Sequence, residues 1–112
     1  MPQFLIQFNY TARSIRGMVE QPNVDHAAQA SAMVASLGAK LLGYWFAFGE
    51  FDGVVMLEAA DYSTVASIAM AIGGTGEVSR LETTVLLSMD DARKAMRSAG
   101  GATHLPSSER NR

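Results

Sequence analysis

Hydrophobic positions along the chain recur with the periods of strands and helices in turn. Phe4, Ile6 and Phe8 alternate with Gln7 and Asn9, which predicts a strand with one apolar and one mixed face. The same patterns predict strands over 4–10, 39–48, 53–59 and 78–88, and helices over 12–20, 24–37, 62–72 and about 90–98.

Residues that begin and end helices support these bounds. Thr11 and Asp61 are suitable N-caps, because their side-chain oxygens can accept hydrogen bonds from the amides of a first helical turn. Gly38 suits the position just beyond the second helix, where the backbone often becomes left-handed. Asp90 or Asp91 is the predicted start of the last helix.

The element order β-α-β-β-α-β predicts an α+β, ferredoxin-like domain with a four-stranded antiparallel sheet and helices on one face. Strands two and three are bulky on both faces, since Tyr44 and Phe46 alternate with Leu41 and Trp45. Strands that are apolar on both faces are buried on both, and the helices cover only one. We therefore expect the other face to pack on a second subunit, forming a dimeric α/β barrel.

The composition agrees with association between copies of the chain. The 112 residues are 48% hydrophobic but only 18% charged, below the roughly 25% of a typical domain. A homodimer or a higher homo-oligomer would hide the surplus apolar surface. The net charge of −2, without a basic stripe, argues against nucleic acid as a partner.

Metal and membrane chemistry find little support in the sequence. The chain has no cysteine, and its two histidines, His26 and His104, are far apart, so we expect no metal and no cofactor. No signal-like leader precedes the first strand, and the longest apolar run is about half the length of a membrane span. A cytoplasmic location without membrane contact is the expectation.

An acidic turn between strands two and three is the strongest local motif. Gly49, Glu50, Phe51 and Asp52 join the two strands as a hairpin. The two carboxylates could act as an acid/base pair or hold a cation. Alternatively, Asp52 bonds backbone amides and shapes the turn while Glu50 is solvated.

This turn and three other segments resemble the GYD-domain family. The motif that names the family is matched by residues 49–52, with Phe51 in place of the usual Tyr. Residues 1–11, 37–41 and 73–78 resemble its first strand, its helix-to-strand junction and its entry to strand four. The resemblance implies the dimeric α/β-barrel superfamily, which includes cofactor-free monooxygenases, isomerases and ligand-sensing domains, and it leaves the activity open.

Five residues are the candidates for contact with a small apolar or aromatic ligand. They are expected to line a pocket of the dimeric barrel, between sheet and helices: Asn9, Tyr44, Trp45, Met56 and Arg80. Trp45 shares its strand face with the small residue Gly43, which leaves room beside the indole. The alternatives are packing of Trp45 in the dimer core and an ion pair between Arg80 and Glu82 or Glu58.

Three functions remain open at this point. The first is binding or sensing of a small molecule, and the second is a cofactor-independent enzyme of the oxygenase or isomerase type. The third is a structural or assembly protein with a filled core. The functional domain is expected to cover residues 1–90, with a short helix and a disordered tail in residues 91–112.

Overall fold

A computed structural model describes residues 1–103 of the chain. Its elements follow in this order: β1 Gln3–Tyr10, α1 Ala12–Glu20, α2 His26–Ser36, β2 Lys40–Phe46, β3 Gly53–Glu58, α3 Tyr62–Gly73, β4 Val78–Leu86 and α4 Met89–Gly100. All eight predicted elements are present, with ends that shift by a few residues. Residues 104–112, which include His104 and most of the predicted disordered tail, lie outside the described part of the chain.

The four strands form one antiparallel sheet in the order β2-β3-β1-β4. The two central strands, β1 and β3, align Phe4 with Leu57 and Ile6 with Val55, so their apolar side chains share a face. This arrangement confirms the predicted α+β, ferredoxin-like fold, with the first crossover divided into α1 and α2.

The core lies between this face of the sheet and two of the helices. The fully buried residues come mainly from β1, β3, α2 and α3, and they are all apolar: Phe4, Ile6, Phe8, Val34, Val55, Leu57, Ala59, Val65 and Ile68. No polar side chain within the described residues is buried. The driving force for folding is therefore the removal of apolar surface from water in one layer between sheet and helices.

Polar side chains at the helix starts explain where each helix begins. Thr11, Asp25 and Asp61 accept hydrogen bonds from amides in the first turns of α1, α2 and α3. At α4 the predicted start at Asp90 or Asp91 is wrong, because Ser88 is the cap and accepts from the amide of Asp91. The two acids lie in the first turn instead, where they face the positive end of the helix dipole.

A bulge in β2 overturns one face assignment made from alternation. The pairing of β2 with β3 shifts between Leu41 and Gly43. Leu41 consequently packs against the core on the same side as Tyr44, instead of sharing the face of Trp45. The extra residue, Leu42, interrupts the period of two, which alternation alone does not reveal.

The helices are short, and the last one stands apart from the core. α3 and α4 have 12 residues each, and no helix within residues 1–103 is long and apolar enough to cross a membrane. In α4 only Ala92 is half-buried, while Met89 and Met96 are each 68% exposed. The position of α4 is therefore not secured by burial in the core.

A close contact at the start of β3 gives a stability prediction. An added methyl group at Gly53 would lie 2.5 Å from the ring of Phe8, its partner in the sheet. Gly53→Ala should therefore lower the free energy of unfolding by about 1–3 kcal/mol, because the ring must move within the core. Urea unfolding measures this change.

Gly49→Ala is the matched control in the same turn. An added methyl group at Gly49 has no atom within 4 Å, and its φ is not positive. Its effect should stay within about 1 kcal/mol. Equal stabilities of the two variants would contradict the close packing of Gly53 under Phe8.

Candidate functional site

A cavity of about 210 Å³ lies between the sheet and helices α2 and α3. Most of its wall is apolar, and its most buried lining residues belong to the core: Phe8, Val34, Val55, Leu57 and Ile68. A pocket enclosed mainly by apolar side chains, with few polar groups, is the usual form of a small-molecule site.

A wider cleft of about 430 Å³ adjoins this cavity on the side of α1. The residues that line both spaces are Tyr10, His26, Gln29, Tyr44 and Glu77, and we call these five the neck. Elsewhere the cleft is more polar, with Arg13, Ser14 and Gln21 in its wall. A molecule in the cavity would therefore meet its polar contacts at the neck.

Two tyrosines form the centre of the neck. The hydroxyls of Tyr10, at the end of β1, and Tyr44, in β2, hydrogen-bond to each other across β3. The ring of Phe8 supports both, with its centroid 5.2 Å from that of Tyr10 and 6.1 Å from that of Tyr44. Both contacts are edge-to-face, which is the favoured geometry for aromatic rings.

Both phenols resist ionisation. Burial, the hydrogen bond to Tyr44 and the negative charges of Asp52 and Glu77 raise the pKa of Tyr10 well above its ordinary value of about 10. Partial burial and, less strongly, the charge of Glu77 also raise the pKa of Tyr44, against the opposing effect of its hydrogen bond with Tyr10. The pair is therefore a neutral hydrogen-bonding group over the whole physiological pH range.

Asp52 of the acidic turn holds Tyr10 in place. Its carboxylate accepts a hydrogen bond from the amide of Tyr10 at 3.0 Å, and its own amide donates to the carbonyl of Phe8 at 3.0 Å. The pairing of β1 with β3 ends at Phe8 and Gly53, so just beyond it the carboxylate takes the place of a strand partner for Tyr10. Asp52 thus bonds a backbone amide, as one of the two interpretations of the turn expected, but on the neighbouring strand.

The rest of the turn is tied to the far edge of the sheet. Arg80 of β4 lies 3.2 Å from the carboxylate of Glu50 and 2.9 Å from that of Glu82. Its guanidinium also lies over the ring of Phe51, 4.7 Å from the centroid. The side chain of Asn9 donates to the carbonyl of Glu50 at 3.0 Å. The ion pair expected for Arg80 is present with Glu82, and its second partner is Glu50 instead of Glu58.

The structure divides the five predicted ligand residues between the two faces of the sheet. Tyr44 lines the cavity, whereas Asn9, Trp45, Met56 and Arg80 lie on the face away from the helices. The room beside Trp45 is taken by its own indole, which lies so close over Gly43 that an added methyl group would be 2.3 Å from the ring. The five residues thus do not line one pocket within a single chain.

Sequence reasoning misses most of the neck. Alternation places Tyr10 on the core face of β1, and the position of Tyr44 on the same face of β2 is the signal that could link the two. His26 stands out in the sequence only as a lone histidine, and its ring packs at 6.0 Å from Phe46. Within residues 1–103, no group of three histidine, aspartate or glutamate side chains is placed to hold a metal.

Comparisons with known proteins agree on family and fold. The family model of the GYD domain matches residues 4–96. Among solved structures, FFRP-DM1 has a TM-score of 0.53 at 16% identity, covering 78% of this chain and 100% of that one. TTHA0845 from Thermus thermophilus has a TM-score of 0.54 at 13% identity, covering 79% and 95%. No curated protein matches the chain in sequence.

These likenesses confirm the expected fold, that of the dimeric α/β-barrel proteins. At such low identity they carry no information on ligand or activity. The match to the GYD domain reaches into α4, beyond the predicted domain end at residue 90. The assignment of function therefore depends on the chain's own residues.

The raised pKa values of the tyrosine pair predict alkaline instability. In the unfolded chain both phenols ionise near pH 10, whereas in the folded protein the pKa of each is raised. The contribution of the two tyrosines to the free energy of unfolding should therefore be constant below about pH 10 and fall as the pH rises further. Denaturant unfolding from about pH 8 to about pH 11.5 measures the slope.

The double variant Tyr10→Phe/Tyr44→Phe is the control, because it keeps both rings and removes both ionisable groups. Its stability should decline less steeply above about pH 10 than that of the parent protein. The phenolate absorbance of the pair in the folded protein, taken as the difference between the two proteins, should rise only above the ordinary phenol pKa of about 10. Titration of the pair near pH 10 in the folded protein would contradict this account.

Proposed function

The chain belongs to the GYD-domain family, and on that premise we propose that it binds a small molecule in the cavity between the sheet and helices α2 and α3. The observation that carries the proposal is the hydroxyl pair of Tyr10 and Tyr44 at the neck of an otherwise apolar space. Polar groups so placed give orientation, while the apolar wall gives affinity.

The size of the cavity supports this proposal over a filled core. An engineered apolar cavity of about 150 Å³ stays dry and binds benzene. The cavity beneath the neck has about 210 Å³, and its neighbouring cleft leads outward along α1. The space is a pocket that opens past exposed residues such as Thr75 and Glu77, so a ligand can reach the core residues in its wall.

Binding is favoured over catalysis by the chemistry of the neck. Nucleophilic catalysis needs a nucleophile within hydrogen-bond reach of a base. Within the described residues, the tyrosine hydroxyls hydrogen-bond to each other and not to His26 or Glu77. A cofactor-independent enzyme of the isomerase type is the second candidate, since a neutral phenol can donate a hydrogen bond to a substrate oxygen.

Filling the cavity should abolish binding. Ala30 is half-buried in α2 and lines the cavity, so Ala30→Leu places a larger side chain in the space that the ligand needs. Fluorobenzene is a suitable probe, because a bare ring requires no polar contact. Its ¹⁹F resonance should broaden and shift with the parent protein and remain sharp with Ala30→Leu.

Ala32→Leu is the matched control on the exposed side of the same helix. It should bind fluorobenzene as the parent does, and thermal unfolding establishes that both variants are folded. Equal binding by the two variants, or no binding by the parent protein, would refute the proposed cavity site.

The partner proposed for this chain is a second copy, packed against the face of the sheet that the helices leave uncovered. On that face Leu5 pairs with Met56 in the two central strands, and Trp45 lies beside them, 52% exposed. A homodimer formed in this way would remove these side chains from water and close the α/β barrel. The proposal is supported by the fold, whose relatives include such barrels.

A charge at the centre of this face should prevent dimerisation. Met56→Glu would bury an unpaired carboxylate between the two sheets, which is strongly unfavourable. By sedimentation at micromolar concentration, the parent protein should have twice the chain mass of 12.0 kDa, and Met56→Glu should have the mass of one chain. Ser31→Glu, on the exposed side of α2, should remain a dimer. A monomeric parent protein would refute this assembly.

A further inference from the structure

The tyrosine pair of the neck has one hydrogen-bond donor to spare. Two phenol groups carry two protons, and their mutual bond uses only one of them. Within residues 1–103, neither hydroxyl has another hydrogen-bond partner. Because both residues line the cavity and the cleft alike, the remaining O–H lies where the two spaces meet.

The charges around the pair are unfavourable for an anion. Glu77 is one of the neck residues, and the carboxylate of Asp52 lies against the backbone of Tyr10. The wall of the cavity contains no lysine or arginine among the described residues, and Arg13 lines only the outer cleft. The charges of Asp52 and Glu77, which add to partial burial in raising the pKa of Tyr10, would also repel a ligand carboxylate.

A cationic ligand head is also disfavoured within the cavity. Beneath the neck its wall is apolar apart from Thr75, and a charge placed there would lose its hydration without a buried partner. At the neck a cation could pair with Glu77, but that side chain is exposed, and an exposed ion pair contributes little. The volume of about 210 Å³ exceeds the roughly 150 Å³ that holds benzene, which leaves room for one ring and a short substituent.

We infer that the ligand is an uncharged compound with a single substituted ring, which lies in the cavity and places a carbonyl or similar acceptor oxygen at the spare hydroxyl of the Tyr10–Tyr44 pair. This inference rests on the proposed function, since the same cavity must first admit the ring. Beyond the proposed function, it adds that the ligand has an acceptor oxygen and no charge.

Four ring compounds of similar size test the acceptor oxygen and the lack of charge separately. 4′-Fluoroacetophenone has the acceptor oxygen, and 1-fluoro-4-isopropylbenzene has the same shape without it. 4-Fluorobenzoate and 4-fluorobenzylamine add a negative and a positive charge. Dissociation constants come from ¹⁹F titrations of the full chain and of Tyr10→Phe/Tyr44→Phe, which keeps both rings and removes both hydroxyls.

The ketone should lose affinity relative to the isopropyl compound in the double variant. One hydrogen bond corresponds to a change of about three- to tenfold in the ratio of the two dissociation constants. Each single variant, Tyr10→Phe or Tyr44→Phe, keeps one hydroxyl whose proton is free, so each should show a smaller change. In the parent protein, both charged compounds should bind at least about tenfold more weakly than the ketone.

The possible failures point to different conclusions. If the isopropyl compound binds the parent protein and the ratio is unchanged in the double variant, the hydroxyl contact is refuted while the cavity site stands. If benzoate or benzylamine binds as tightly as the ketone, the requirement for an uncharged ligand is refuted. If none of the four compounds binds the parent protein while fluorobenzene does, this inference is refuted and the cavity site stands. If fluorobenzene also fails to bind, the proposed function and this inference fall together.

Discussion

The central strand β1 is hydrogen-bonded along both of its edges, to β3 on one side and β4 on the other, and the rest of the structure depends on this double pairing. Its alternating side chains divide the molecule into two environments. Phe4, Ile6 and Phe8 form the middle of the core, whereas Gln7 and Asn9 belong to the opposite face. A shift of one residue in either register would exchange these faces and expose the core residues to water.

At the end of β1, hydrogen bonds connect residues on the two faces of the sheet. On the helix side, Tyr10 reaches over β3 to Tyr44. On the other side, Asn9 bonds the turn that contains Asp52, and Asp52 returns to the amide of Tyr10. The motif that marks the family thus holds Tyr10, and with it the neck of the cavity, in position through Asp52. Its aromatic position, Phe51, is buried under Arg80 and contributes packing and a cation–π contact.

Sequence reasoning could predict the fold because its signals are local and repeated. Alternation in β1, caps at Thr11 and Asp61, and Gly38 with its φ of 86° all specify elements that tertiary packing then retains. The neck could be predicted only in part. Tyr44 is a candidate from the sequence, but its partner Tyr10 lies two strands away, and sequence patterns do not give distances across an intervening strand.

The bulge in β2 could not be predicted from the sequence for a related reason. One additional residue, Leu42, changes which side chains share a face, and no composition or period distinguishes it from a regular strand residue. The separation of Trp45 from Tyr44 follows from alternation alone, whereas placing Asn9, Met56 and Arg80 on the same face as Trp45 requires the register of the strands. Faces can be inferred from a sequence, whereas the grouping of faces into sites requires the pairing of strands.

The same bulge has a consequence for the behaviour of the protein in a crowded cell. β2 is an edge strand that carries exposed apolar residues, including Leu42 and Phe46, and such an edge can recruit strands from other molecules into fibrils. The irregular pairing near Leu42 breaks the even row of backbone donors and acceptors that an incoming strand would need. The outer edge of β2 is therefore a poorer template for strand addition than a regular edge of the same composition would be.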